Sequence, residues 1–163
     1  MFGLPSDGGL DVRGQHVTGQ GAAPVWPSAW PPPASPVLTW RLRDIAELPR
    51  LRNELREHAT ATTRGHDQDS ADLRDQLVLA FDEMASNALR HGGGEVRAVL
   101  RLTEDSYLIE VSDQAAAEPP SPAVGRDPSQ GGLGLYLIAE LASMHGWYVR
   151  EGHKHVWALL PRA

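Results

Sequence analysis

The sequence predicts an α+β fold: a two-layer α/β sandwich, with helices packed on one face of a mixed, mostly antiparallel sheet. Three observations carry that expectation. "EVRAVLRL" and "SYLIEVSD" alternate apolar and polar residues around a short "TED", which reads as a hairpin. "WYVR" and "HKHVWALL" repeat the pattern around "EG" at the end of the chain. Helical apolar periodicity precedes each pair, so strands and helices segregate into layers rather than alternating one by one.

In chain order, residues 1–36 hold seven prolines and six glycines with no periodic apolar face. Such a segment buries too little surface to offset its ordering entropy and is expected to be a flexible tail. Trp26 and Trp30 in "PVWPSAWPPP" are the exception, as aromatics able to dock on the domain or on a partner. The globular part is expected over 37–163. "VLTWRLR" alternates as a strand, and Leu48, Leu51, Leu55 and Ala59 share one helical face, with Pro49 in a first turn where its missing N–H costs nothing. Ser70 is the expected cap of a second helix running through His91, with Asp72 in its first turn and Leu73, Leu77, Phe81, Met84 and Ala88 as its buried stripe. Residues 114–130 contain four prolines and are expected to be irregular. "GLGLYLIAELASMHG" reads as a third helix before the closing hairpin.

Composition narrows the function. The 163 residues carry a net charge of −6, which argues against nucleic acid as a partner, and no cysteine, which excludes a disulfide framework or thiolate chemistry. The N-terminus has neither a cationic start nor an apolar run, and the longest greasy stretch, Leu133 to Ala139, is too short to span a bilayer. The expectation is a cytoplasmic protein with no membrane partner. The mixed charges of the first helix (Arg50, Arg52, Glu54, Arg56, Glu57) read as a solvated face. In "HKH", His153 and His155 share a strand face, with His145 as a third candidate imidazole, but no carboxylate or cysteine stands at ligand spacing, so a surface strand is the simpler reading.

Three features carry chemistry. Glu83, Asn87 and His91 recur every four residues, which puts an acid, an amide and an imidazole within about 80° on one helix. "GGLGL" at 131–135 opens a helix, where free N–H groups can face a phosphate. It lacks the third glycine of the dinucleotide fingerprint, and no G-x-x-x-x-G-K-[ST] occurs. Asp113 ends a strand in phase with Tyr107, Ile109 and Val111. A core-facing acid needs a partner, and an exocyclic amine such as adenine's is suitable.

The order E-x-x-x-N-A (Glu83, Asn87, Ala88), a strand-terminal aspartate, a loose loop and G-x-G at a helix start resembles the Bergerat ATP-binding domain of gyrase, histidine kinases and MutL. Within that group the chain resembles the small anti-sigma regulatory factors, which are serine-protein kinases, and "GWYVREGHKHVWALLP" is similar to the end of their domain. The resemblance implies ATP and Mg²⁺ as cofactors. It implies that Asn87 ligates the ion, that Glu83 is the base, and that Asp113 reads the adenine amine. It places Gly131, Gly132, Leu133 and Gly134 against the phosphates, Arg90 and His91 beside them, and residues 114–131 as the ATP lid. Ala115 of "DQAAAEPP" stands where the family commonly has a glycine and loses the positive-φ option. The implied activity is phosphorylation of a serine on an anti-anti-sigma (STAS) partner, with sequestration of a sigma factor and a homodimeric state. The alternative is a partner-binding module of the same fold that never turns over, with ATP as a structural ligand or with ATP binding lost.

Overall fold

The computed structural model describes residues 26–62, 65, 67–120 and 133–162, the side chain of residue 133 excepted. Strand β1 (Ser35–Leu42) is followed by a short 3-10 turn (Ile45–Glu47) and helices α1 (Leu48–Thr62) and α2 (Gln68–His91). The hairpin β2 (Val96–Leu102) and β3 (Ser106–Asp113) comes next, then α3 (Leu133–Leu141) and the hairpin β4 (Met144–Arg150) and β5 (His153–Pro161). The five strands form one sheet in the order β1-β2-β3-β5-β4, and every neighbouring pair is antiparallel. This is the α+β architecture expected, with a sheet more uniformly antiparallel than the mixed one anticipated. Among the described residues, no helix is long and apolar enough to cross a membrane.

The helices cover one face of the sheet. Helix α1 buries Leu48, Leu51, Leu55 and Ala59, and each fully buried leucine contributes about 1.5–3 kcal/mol. Helix α2 buries Leu77, Phe81, Met84 and Ala88, with Leu73 half-buried at the start of the stripe. The odd-numbered residues of β3 (Tyr107, Ile109, Val111) and the even-numbered ones of β5 (Val156, Ala158, Leu160) meet these side chains in one core.

Two local expectations are corrected. Asp67, not Ser70, caps α2: its side chain accepts from the Ser70 amide at 2.9 Å, and Ser70 itself is buried within the first turn. An aspartate three residues upstream satisfies the same orphan N–H and adds its charge to the positive helix end. The third helix stops at Leu141, and Met144–Gly146, expected to be helical, belong to β4. There the Ser143 amide and hydroxyl both donate to the Leu159 carbonyl, at 2.9 and 3.1 Å, which pulls the chain onto the sheet. The charges of α1 form the solvated face expected, and from it Arg52 and Arg56, 41 and 52 % exposed, reach Asp82 and Asp75 of α2 at 3.4 and 2.9 Å.

The Pro-rich segment is the largest difference. Residues 1–25 lie outside the described residues, but 26–36 do not behave as a loose tail. The Ala29 amide donates to the Trp147 carbonyl at 2.9 Å and the Trp147 amide to the Pro27 carbonyl at 3.0 Å, so the segment lies along the free edge of β4. Trp26 drops onto the helix side, 3 % exposed, and its indole N–H donates to the Leu135 carbonyl at 3.3 Å. Trp30 stays on the other side, stacked on Tyr148 with ring centres 4.3 Å apart. Between them, Ala29 and Ala34 pack with Leu108, Trp157 and Leu159 on the outer face of the sheet. Indole rings supply large apolar area without needing any periodicity in the chain that carries them.

Candidate functional site

The site lies where the C-terminal half of α2, the end of β3 and the start of α3 converge on the helix side of the sheet. Asn87, His91, Asp113, Pro120, Leu135 and Lys154 are among the residues lining one small cavity of 40 Å³ there. The four-residue spacing on α2 does place Asn87 and His91 together, with Asn87 half-buried and His91 exposed. Among the described residues, the Asn87 amide has no side-chain hydrogen-bond partner, so a group built to donate and accept faces the cavity unused.

Asp113 occupies the inward position that alternation along β3 gives it and is 3 % exposed. Its Oδ1 accepts the Ala115 amide at 2.8 Å, and its Oδ2 lies 3.7 Å from the Lys154 ammonium. The two residues are direct cross-strand partners in the β3–β5 register, each at the end of its strand. Gly92, the C-cap of α2, packs against the Asp113 side chain, and a Cβ at that position would overlap it. One of the three glycines after His91 is therefore a packing requirement of the aspartate.

Glu83, one turn above Asn87, is half-buried and faces α3 instead of the cavity. Gly134, in the first turn of α3, passes so close to the Glu83 carboxylate that any side chain there would overlap it. Burial, and then the neighbouring Asp82 charge, push the Glu83 carboxyl above its ordinary range, while Arg90 offsets part of the shift. A carboxylate whose proton affinity is raised accepts a proton more readily than an ordinary one, as a base must. Arg90 is exposed and does not line the cavity. Gly131 and Gly132 lie outside the described residues, and Leu133 opens α3.

Lys154 and Gly92 are the members of the site that the sequence reading passes over. Lys154 sits between two histidines in "HKH" and looks like a surface residue. The usable signal is its phase: Val156, Ala158 and Leu160 face the core, and Lys154 is the first inward position of the same strand. Its ammonium donates to the Glu118 carbonyl at 2.9 Å.

The outer face holds a second buried carboxylate, Glu110, 4 % exposed. Both of its oxygens accept from the Tyr148 hydroxyl at 3.0 and 3.1 Å; His155 Nδ1 lies 3.1 Å away and Arg101 3.3 Å. Burial pushes this carboxyl up, but the His155 hydrogen bond and the Arg101 charge outweigh it and hold Glu110 below the usual range. His155 is thus committed to a carboxylate, while His153 is exposed and His145 packs edge-on against Trp26. Among the described residues, no group of His, Cys, Asp and Glu could hold a metal ion.

The sequence that builds this site is similar to known proteins. The model of the histidine kinase-like ATPase domain matches residues 43–159. An alignment of 82 positions, covering 44 % of the chain, is 34 % identical to the alginate biosynthesis sensor protein KinB of Pseudomonas aeruginosa and covers 14 % of that protein's length.

Proposed function

The chain belongs to the histidine kinase-like ATPase domain family, and from that premise we propose that it binds Mg-ATP and is a serine-protein kinase that phosphorylates an anti-anti-sigma (STAS) partner and sequesters a sigma factor. One observation supports this reading above the others: a buried carboxylate, Asp113, and an unused amide, Asn87, face one cavity beside the start of α3. Asp113 is placed to accept from the exocyclic amine of adenine, and the Asn87 oxygen is the hard ligand that Mg²⁺ prefers. Bound Mg²⁺ would neutralise charge on the phosphates. In the transfer, the serine oxygen bonds to the γ-phosphorus, the bond to the β-phosphate oxygen breaks, ADP leaves and the serine proton passes to Glu83. The raised proton affinity of Glu83 fits that role. The partners and the homodimeric state rest on the resemblance of the motifs to anti-sigma factors, and a cytoplasmic location belongs to the same proposal, in keeping with a chain that carries no cysteine.

A second reading is favoured by one specific observation. Both oxygens of Asp113 are already engaged, Oδ1 by the Ala115 amide and Oδ2 by the Lys154 ammonium at 3.7 Å. A partner-binding module that holds ATP without turning it over, or has lost it, fits a carboxylate so occupied.

Calorimetric titration with Mg-ATP tests binding, and transfer from γ-labelled ATP to a STAS protein tests the activity. Glu83→Gln separates the two readings. The kinase reading expects binding kept and transfer slowed by about 10²–10⁴-fold. Transfer should also fall as pH drops through the raised Glu83 value, since the base must be unprotonated. Transfer within about threefold of wild type would remove Glu83 from the mechanism. Absence of binding at millimolar ATP would retire the kinase.

A further inference from the structure

The cation inside the cavity has a consequence beyond ATP binding. Lys154 is a buried residue, and its side chain is only 11 % exposed. A desolvated ammonium is costly unless its donors are met. A counter-charge at 3.7 Å and a hydrogen-bond acceptor at 2.9 Å compensate it here. One is the Asp113 carboxylate, directly across the ladder; the other is the carbonyl of Glu118, in the segment that follows β3. That segment is otherwise lightly held. Its described hydrogen bonds are the Ala115 amide to Asp113 Oδ1 at 2.8 Å and the Glu118 amide to the Ala115 carbonyl at 3.1 Å. Pro120, two residues beyond the Lys154 contact, lines the cavity.

We propose that Lys154 is a latch on the base-binding end of the site: its ammonium bridges Asp113 and Glu118, holds residues 115–120 over the cavity, and must be displaced before a nucleotide base can enter. The carboxylate oxygen that would accept an adenine amine is the one facing Lys154, so lysine and base compete for one acceptor. At 3.7 Å the lysine makes no hydrogen bond to that oxygen, but its full charge attracts the carboxylate where a neutral amine carries none. Lys154 thereby lowers affinity for adenine nucleotides and makes access depend on opening the 115–120 segment. The closure needs no ligand, because both contacts are internal. The competition with a base rests on the nucleotide reading above.

Lys154→Met keeps the length and apolar stem of the side chain and removes the ammonium. Hydrogen exchange across residues 113–120, read by mass spectrometry on the full chain, should accelerate in this variant, because the Ala115 and Glu118 amides lose the contact that holds them. Mg-ATP affinity by calorimetry should tighten by about three- to tenfold, the scale of one net hydrogen bond removed from the competing state. Unchanged exchange overturns the latch whatever ATP does. Faster exchange with equal ATP binding overturns the competition, and weaker binding overturns it and makes Lys154 a ligand of the nucleotide. Faster exchange with no ATP binding by wild type or variant upholds the latch and retires the nucleotide reading instead. Should Lys154→Met fail to fold by circular dichroism, Lys154→Gln, neutral but still a donor, is read by the same outcomes.

Discussion

Strand β3 carries two buried carboxylates three residues apart, one on each face of the sheet, and they are treated differently. Glu110, on the outer face, is surrounded by a tyrosine hydroxyl, an imidazole and a guanidinium, all within 3.3 Å. Asp113, on the helix side, has one backbone N–H and a cation at 3.7 Å. Burial penalises both charges alike, so the difference lies in how completely each is compensated. A carboxylate with its lone pairs filled has nothing left to offer a ligand and acts as structure. One that is only partly satisfied, beside a cavity and an unused amide, keeps capacity for a ligand. Burial alone would have ranked the two residues equal, at 4 % and 3 % exposed.

The comparison breaks or holds on substitutions. Glu110→Ala leaves Arg101, His155 and Tyr148 facing an emptied site, and should cost about 3 kcal/mol, a fall in melting temperature of roughly 6–12 °C at this size. Nucleotide binding should stay unchanged. Asp113→Asn should invert that pattern. A loss of about tenfold or more in ATP affinity, some 1.4 kcal/mol, is expected with a melting temperature within roughly 4 °C of wild type. Equal thermal losses in the two variants would show that both carboxylates are structural.

The pH dependence sharpens the same contrast at both ends. Glu110 is held below its ordinary value of 4.5 when folded. Its contribution to stability is therefore complete above that value and lost as pH falls through the lower folded one. Tyr148 is pushed up to about 12, by burial first and then by the Glu110 charge. Its contribution is complete below its ordinary value of 10 and lost as pH rises from there towards 12. Thermal melts across pH should show Glu110→Gln flattening the acid limb and Tyr148→Phe the alkaline limb. If neither limb changes, the network on the outer face does not link stability to pH.

The smallest effect is expected at the roof of that network. Trp30 is 65 % exposed and stacked on Tyr148, so Trp30→Ala should cost only about 0.5–1 kcal/mol, a shift of roughly 1–4 °C in a thermal melt. A loss as large as that of Glu110→Ala would mean that the arm, and not the carboxylate, holds the outer face.

The parts of this architecture written in short-range periodicity were legible in the sequence. Period-two alternation gives both hairpins, and apolar spacing gives the buried stripes of α1 and α2. The inward phase of Asp113 follows from Tyr107, Ile109 and Val111 in the same way. What escaped depends on contacts between distant segments. Trp26 belongs to no periodic pattern, because its burial is decided by Leu135 and His145, more than a hundred residues on. Lys154 was masked by its two histidine neighbours, since a charged residue at the end of a strand ordinarily faces water. The early end of α3 reflects the competition of Leu159 for the Ser143 amide and hydroxyl, a tertiary preference that overrides helix propensity. The cap of α2 was misplaced because Asp67 and Ser70 are both good caps three residues apart, and spacing alone does not choose between them.

The arm along β4 also bears on the order in which the molecule can assemble. Trp26 meets its carbonyl partner 109 residues later in the chain, and the Ala29 carbonyl meets the Trp157 indole 128 residues later. During synthesis the arm is made before either surface exists, and at translation rates of about 5–20 residues per second it waits several seconds for them. Contacts of such sequence separation close a very large loop and therefore form late. The segment translated ahead of every strand is thus among the last to find its place, and until then the edge of β4 is open to other chains.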